Sequence, residues 1–214
     1  MARAGQAIQQ CTEVRSNMIL EFQNQDNIMT APWNDGGTRY IYILLARYPD
    51  AFSTALRFIT QNCFSHASIG LSDSDGLFYS YVTKGFRKEF PQMHPTYKGR
   101  EIPCSLYCLE ISDEVHSAAK AILEEHANRA DDFKYNLFGV LLCLLRIANK
   151  KKSSNKYFCS QFVSEILEQL SVVPLVKHST LYRPDDFTHM KGLDLQFAGY
   201  LSELAGLSTP ILTT

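Results

Sequence analysis

The chain has 214 residues, 45% of them hydrophobic, 20% charged and 12% aromatic, with a formal net charge of −1. That length suffices for one sizeable domain, and the composition excludes a disordered or fibrous chain. A balance so close to zero provides no global field toward nucleic acid or an anionic membrane.

Residues 1–35 are polar and end in the turn-rich "APWNDGG"; they read as an N-terminal extension, with the folded domain spanning 36–214. The start carries no apolar core of signal-peptide length. From Arg39 the texture changes. "RYIYILLAR" is a near-continuous apolar run rich in aromatic and β-branched residues, which predicts a buried strand. "PDAFSTALRFITQ" predicts an amphipathic helix with proline in its first turn and an apolar face of Phe52, Leu56 and Ile59. "SHASIGL" and "LFYSYVT" flank the turn "SDSDG" and predict an antiparallel hairpin; "KGFRKEF" continues it as loop or a short strand. "PCSLYCLEI" predicts a further strand, and Ser112 caps a helix through Val115, Ala119, Ile122 and Leu123.

The most apolar stretch, Leu137 to Ala148, is broken by Arg146 and is too short to span a bilayer, so a buried helix is expected, with Asn136 as its cap. The basic run Lys150 to Lys152 comes next and reads as a solvated helix end. A second helix opens at Cys159 with Phe162, Val163, Ile166, Leu167 and Leu170 on one broad face. "RPDDFTHM" places Asp185 and Asp186 in a first helical turn, and "LDLQFAGYL" closes as a strand. The fold class is therefore α+β, an antiparallel sheet with helices packed on it.

The six cysteines, Cys11, Cys63, Cys104, Cys108, Cys143 and Cys159, form no CxxC pair. Five read as buried reduced thiols, which predicts a reducing compartment and a cytoplasmic location. No metal or cofactor site is expected. Cys159 differs because it stands at a helix start, where unpaired N–H groups and the helix dipole favour a thiolate and an oxyanion beside it. A nucleophile there needs a base. His94, His116, His126, His178 and His189 lie in polar or helical contexts and read as surface or structural residues, Ser160 as a helix cap, and Gln161 as a site donor or a solvated position. His66 begins a strand in "FSHASIGL", a context that suits a hydrogen-bonded core residue or a general base equally.

The segments "FSHASIGL", "YSYVTKGF", "YFCSQFVSEIL" and "YRPDDF", in that order, resemble the permuted branch of the NlpC-type papain-like hydrolases, and within it an uncharacterised bacterial group. In the permuted order the histidine strand precedes the cysteine helix, as His66 precedes Cys159 here. The matching segments run from about Arg39 to Tyr200. The resemblance implies a circularly permuted papain-like fold, Cys159 as nucleophile, His66 as base, and a third residue on the next strand that orients the imidazole. Relatives carry His, Glu, Asn or Gln at that third place. Pairing the hairpin strands brings Ser80 opposite His66, or Tyr79 or Tyr81 after one register step, with a water or backbone carbonyl as substitutes. The expected function is a cysteine hydrolase or acyltransferase acting on a peptide, amide or acyl-ester substrate, without nucleic acid or an integral membrane segment as partner. The alternative is a catalytically silent papain-like binding or scaffold protein.

Overall fold

The computed structural model describes residues 37–149 and 155–207; the expected N-terminal extension at 1–35 and the Lys150–Lys152 run lie outside them. The strands are β1 (Arg39–Ala46), β2 (His66–Leu71), β3 (Phe78–Val82), β4 (Gly85–Glu89), β5 (Thr96–Tyr97), β6 (Arg100–Glu101), β7 (Pro103–Ile111), β8 (Lys134–Tyr135), β9 (Lys156–Tyr157) and β10 (Asp194–Tyr200). The α-helices are α1 (Ala51–Thr60), α2 (Asp113–Asn128), α3 (Leu137–Leu144), α4 (Cys159–Gln169) and α5 (Leu201–Leu207). Six strands form one antiparallel sheet in the order β10-β7-β1-β2-β3-β4. The α+β class is as expected.

Strand β1 lies at the centre, and Ile41 to Ala46 are all buried because helices cover both faces of the sheet there. On one face, Ile41, Ile43, Ala67 and Ile69 pack against α2 (Ala119, Leu123) and α4 (Phe162, Val163, Ile166, Leu167). On the other, Tyr42, Leu44, Phe78 and Leu106 pack against Leu201 and Leu204 of α5. Ser112 caps α2 by accepting from Val115 N, as expected. Asn136 does the same for α3 through Gly139 N at 2.8 Å.

Two helices depart from expectation. α1 is capped by Asp50, which accepts from Ser53 N at 2.9 Å, so Pro49 lies before the cap and outside the first turn. No residue of α1 is buried, and Phe52 and Ile59 of its expected core face are exposed. The helix after Asn136 ends at Leu144, short of Ala148, with Arg146 in the left-handed region at φ 58°. Only Gly139 and Cys143 of α3 are buried. An apolar stripe says which residues share a face; it does not say that another element covers that face. The described cysteines Cys104, Cys108, Cys143 and Cys159 are free and buried, whereas Cys63 is half-buried and disulfide-bonded, against the expectation of reduced thiols.

Strand β4 forms one edge of the sheet, beyond β3. It joins β3 by a tight turn in which Gly85 takes φ 108°, a conformation that disfavours any Cβ. A Cβ at Gly85 would also stand 3.1 Å from the Phe133 carbonyl oxygen.

Phe162 of α4 sits within 5.0 Å of the Tyr81 ring and 5.0 Å of the His126 ring, at the centre of an aromatic cluster. Phe162→Ala should destabilise the protein by about 3–5 kcal/mol. Urea unfolding should show this as a lower midpoint with an unchanged slope.

Candidate active site

Helix α4 begins at Cys159, with Phe158 extended at the cap position and providing no side-chain cap. Phe162 N makes the first intrahelical bond, to Phe158 O at 3.0 Å, so the amides of Cys159, Ser160 and Gln161 are free of helical partners. The Cys159 thiol is buried. His66 and the backbone amides of Ala67 and Ser160 are the polar neighbours that act on it.

His66 opens β2. Its Nε2 donates to both carboxylate oxygens of Glu89, at 2.9 and 3.0 Å, which leaves Nδ1 for the sulfur. The two side chains are 9% and 14% exposed. The edge of the Tyr48 ring closes over the imidazole, with centroids 5.6 Å apart. The three groups therefore form a line from Cys159 through His66 to Glu89.

Burial by itself would discharge each member of this line. Burial lowers the His66 pKa, but the Glu89 charge and the bonds to Cys159 and Glu89 outweigh it, and the net pKa rises to about 10. Burial raises the Cys159 thiol, yet the His66 hydrogen bond and charge, with the amides of Ala67 and Ser160, bring it below the ordinary thiol value. Glu89 is likewise pushed up by burial and brought below the usual carboxylate range by His66 and Arg87. Each neighbour thus shifts the balance toward the charged form that burial alone would disfavour.

Ser80 is turned to backbone and not to His66. It is fully buried, and its Oγ donates to the Ala67 carbonyl at 2.7 Å. The β2–β3 ladder pairs Ile69 with Tyr79 and Gly70 with Phe78, and continuing that register puts Val82 level with His66. The turn before Leu77 sets this slip: Ser74 Oγ donates to Leu71 O at 2.6 Å, and Leu77 N donates to Ser74 O at 2.9 Å. Tyr79 and Tyr81 point to the opposite face, into the helix-covered core. The ladder is open beside Ala67. Its carbonyl is held by Ser80 while its amide is turned to the sulfur.

Glu89 was not among the sequence candidates. Phe78 pairs with Glu89 on one side and with Gly70 on the other, so strand alternation puts Glu89 on the same sheet face as His66. The run "RKEF" reads as solvated, which conceals the residue. A chemical filter finds it: Asp73, Asp75 and Glu89 are the acidic residues in the stretch after His66 up to Arg100, and the two aspartates lie in the hairpin turn.

The neighbours of Cys159 have structural roles. Ser160 Oγ donates to the Tyr182 carbonyl at 2.7 Å and does not cap its helix. Gln161 is buried, and its Nε2 donates to Glu165 at 2.9 Å. Asp185 accepts from Cys63 N at 2.6 Å and Phe64 N at 2.8 Å, tying a 3₁₀ turn (Pro184–His189) to the residues just before His66. Asp186 accepts from Arg183 N at 2.6 Å.

Two cavities meet at Cys159 and Tyr135. One, about 520 Å³, runs past His66 and Glu89 and is rimmed by Arg87, Lys88, His94 and Lys98. The other, about 50 Å³, is an apolar slot between α1 and α3. Burial and the adjacent Cys159 charge raise the Tyr135 pKa, which keeps its phenol protonated and able to donate. Among the described residues, no group of three or more His, Cys, Asp or Glu side chains is placed to hold a metal ion. No family model matches the chain, and no curated protein matches it either.

Alkylation of Cys159 by iodoacetamide should be flat across neutral pH. The thiolate persists down to the lowered Cys159 pKa, and the imidazolium up to about pH 10. At pH 6 labelling should exceed that of a free thiol by ~10–100-fold. Glu89→Gln should narrow the plateau from both ends, whereas Ser80→Ala should keep it and cost about 1–3 kcal/mol of stability, because a buried carbonyl loses its donor. The pair of pH profiles, read by mass spectrometry, separates the two roles.

Proposed function

We propose that the chain is a cysteine hydrolase or acyltransferase of the permuted papain-like kind, working through a thioester on Cys159. The observation that carries this reading is the line from Cys159 through His66 to the Glu89 carboxylate, with two backbone amides directed at the sulfur. Glu at the third position fits the residue types that relatives carry there.

The thiolate attacks the carbonyl carbon of an amide or ester, forming the S–C bond and moving one electron pair onto the carbonyl oxygen. That oxyanion lies at the start of α4, where the Cys159 amide and the Tyr135 hydroxyl donate to it. Collapse breaks the C–N or C–O bond, and the leaving group takes the proton from the His66 imidazolium. Water then attacks the thioester as His66 accepts its proton. The acyl group leaves as a carboxylic acid, and the thiolate–imidazolium pair returns. An alcohol or amine in place of water makes the same cycle an acyl transfer. Glu89 holds the imidazole with Nδ1 toward the sulfur and keeps it charged, acting as a positioning residue.

The partner in this reading is a peptide, amide or acyl-ester substrate and not nucleic acid, and no cofactor takes part. Among the described residues no helix is long and apolar enough to cross a membrane. A reducing, cytoplasmic setting would keep Cys159 a free thiol; the Cys63 disulfide is the feature that runs against it.

A series of p-nitrophenyl acyl esters tests the chemistry. The expected result is a burst of nitrophenolate with one acyl group added to Cys159 by intact mass, absent in Cys159→Ala and slowed about 10²–10⁴-fold in His66→Ala. If neither burst nor adduct forms, and the thiol labels like a free cysteine, the chain is a binding or scaffold protein.

A further inference from the structure

Glu89 is a buried carboxylate with fewer donors than it can use. An ionised carboxylate accepts at about four positions. Both hydrogen bonds at Glu89 come from the single Nε2–H of His66, at 2.9 and 3.0 Å. Arg87 of the same strand acts on it by charge alone. While His66 is an imidazolium, that arrangement suffices. Once His66 has given its proton to a leaving group, the carboxylate faces a neutral ring. A buried anion without a close counter-charge tends to take up a proton. A protonated Glu89 would then leave His66 a weaker base toward water.

Ser68 follows His66 by two residues on β2, so strand alternation puts it on the sheet face that carries His66 and Glu89. It pairs with Leu44 of β1 and is fully buried. Its neighbours across the ladder on that face, Leu44 and Ala46, are apolar. Its Oγ is closed off from solvent and has no hydrogen-bond partner. A buried hydroxyl left in that state costs about 1–3 kcal/mol, which alanine would avoid. The hydroxyl nevertheless has one acceptor to answer. Burial pushes the Glu89 carboxyl up, and His66, the Ser68 hydroxyl and Arg87 bring it down again. Ser80 has no such freedom, because its proton is already committed to the Ala67 carbonyl at 2.7 Å.

We propose that Ser68 is a positioning residue for Glu89. Its hydroxyl turns to donate to the carboxylate when His66 becomes neutral, and holds Glu89 as an anion through the thioester half of the cycle. No proton leaves the serine. The imidazole stays free to accept the proton of the attacking water. The place in the cycle rests on the proposed cysteine chemistry, whereas the coupling of Ser68 to Glu89 requires no turnover.

The first measurement is therefore made without the thiol, on full-length Cys159→Ala protein carrying ¹³C at its glutamate carboxyls. Glu89 is assigned by the signal lost in Glu89→Gln, and its titration is compared with and without Ser68→Ala. The other charged or titratable groups around it are His66 on β2, Arg87 and Lys88 on β4, and Tyr48 after β1, with Asp50, His94 and Lys98 lining the same cleft. All are kept in both proteins. Loss of a donor to the anion favours the protonated form, so the Glu89 midpoint should rise by about half to one pH unit in Ser68→Ala. Ser80→Ala, which removes a hydroxyl from the same face, should leave the midpoint in place. In the protein with Cys159 restored, Ser68→Ala should keep the nitrophenolate burst and slow the release that follows it about 3–10-fold on the acid side. A Glu89 midpoint that Ser68→Ala does not move overturns the proposal. Equal movement in Ser80→Ala overturns it too, since the cause would then be packing and not a donor. A raised midpoint in a chain that gives no burst would keep the coupling and reject the nucleophile, so the two readings fail separately.

Discussion

Everything at the site depends on one buried ion pair, His66 with Glu89. Two ionisable groups withdrawn from water both tend to lose their charges, and the Coulomb attraction between them restores those charges only when the geometry is close. Here a single imidazole nitrogen faces both oxygens of the carboxylate at 2.9 and 3.0 Å. The imidazolium so held is what makes a buried thiolate tolerable on its other side. Without Glu89 the positive charge would be left buried beside the Tyr48 ring and the sulfur, which favours return of the proton to the thiol. A stability argument alone would not select such a pair, since apolar side chains of similar volume commonly do as well.

The fold holds that pair by interrupting its own regularity. A continuous β2–β3 ladder would use the Ala67 amide and carbonyl in strand pairing. The ladder instead stops at Ile69–Tyr79, Ser80 takes the Ala67 carbonyl, and the Ala67 amide turns to the sulfur. From the opposite end, Asp185 grips the Cys63 and Phe64 amides across more than 120 residues of chain, so the start of β2 is clamped from both sides. The burial of Asp185 pushes its carboxyl up, partly relieved by those two amides. Its bonds fix backbone, and through backbone the His66 ring. Local periodicity has no part in any of these contacts.

That contrast explains what the sequence made legible. β1 could be read because it is an unbroken apolar run buried on both faces, α2 and α4 because each buries a face at helical spacing, and Cys159 because it stands where the α4 spacing begins. His66 gained meaning from order and resemblance. Glu89 was hidden because "RKE" has the texture of solvent, and Ser80 was misplaced because the hairpin turn, not the strands, sets the register. The apolar face of α1 was visible as a stripe and α3 as an apolar stretch, but neither pattern says that another element covers it.

The uncovered helices also bear on how the site can move. α1 buries none of its residues, and α3 buries only Gly139 and Cys143. Each is held chiefly by a cap at its start and, for α3, by Arg183 at its end. Segments with so few buried contacts open locally at little cost relative to the whole protein. Cys159, His66 and Glu89 belong to α4, β2 and β4, whose backbones are fixed in the sheet and the larger core. The slot of about 50 Å³ is thus walled by the loosely held helices, whereas His66 and Glu89 lie on the sheet. Rigidity is placed where charge must be kept, and looseness in the walls of the apolar slot.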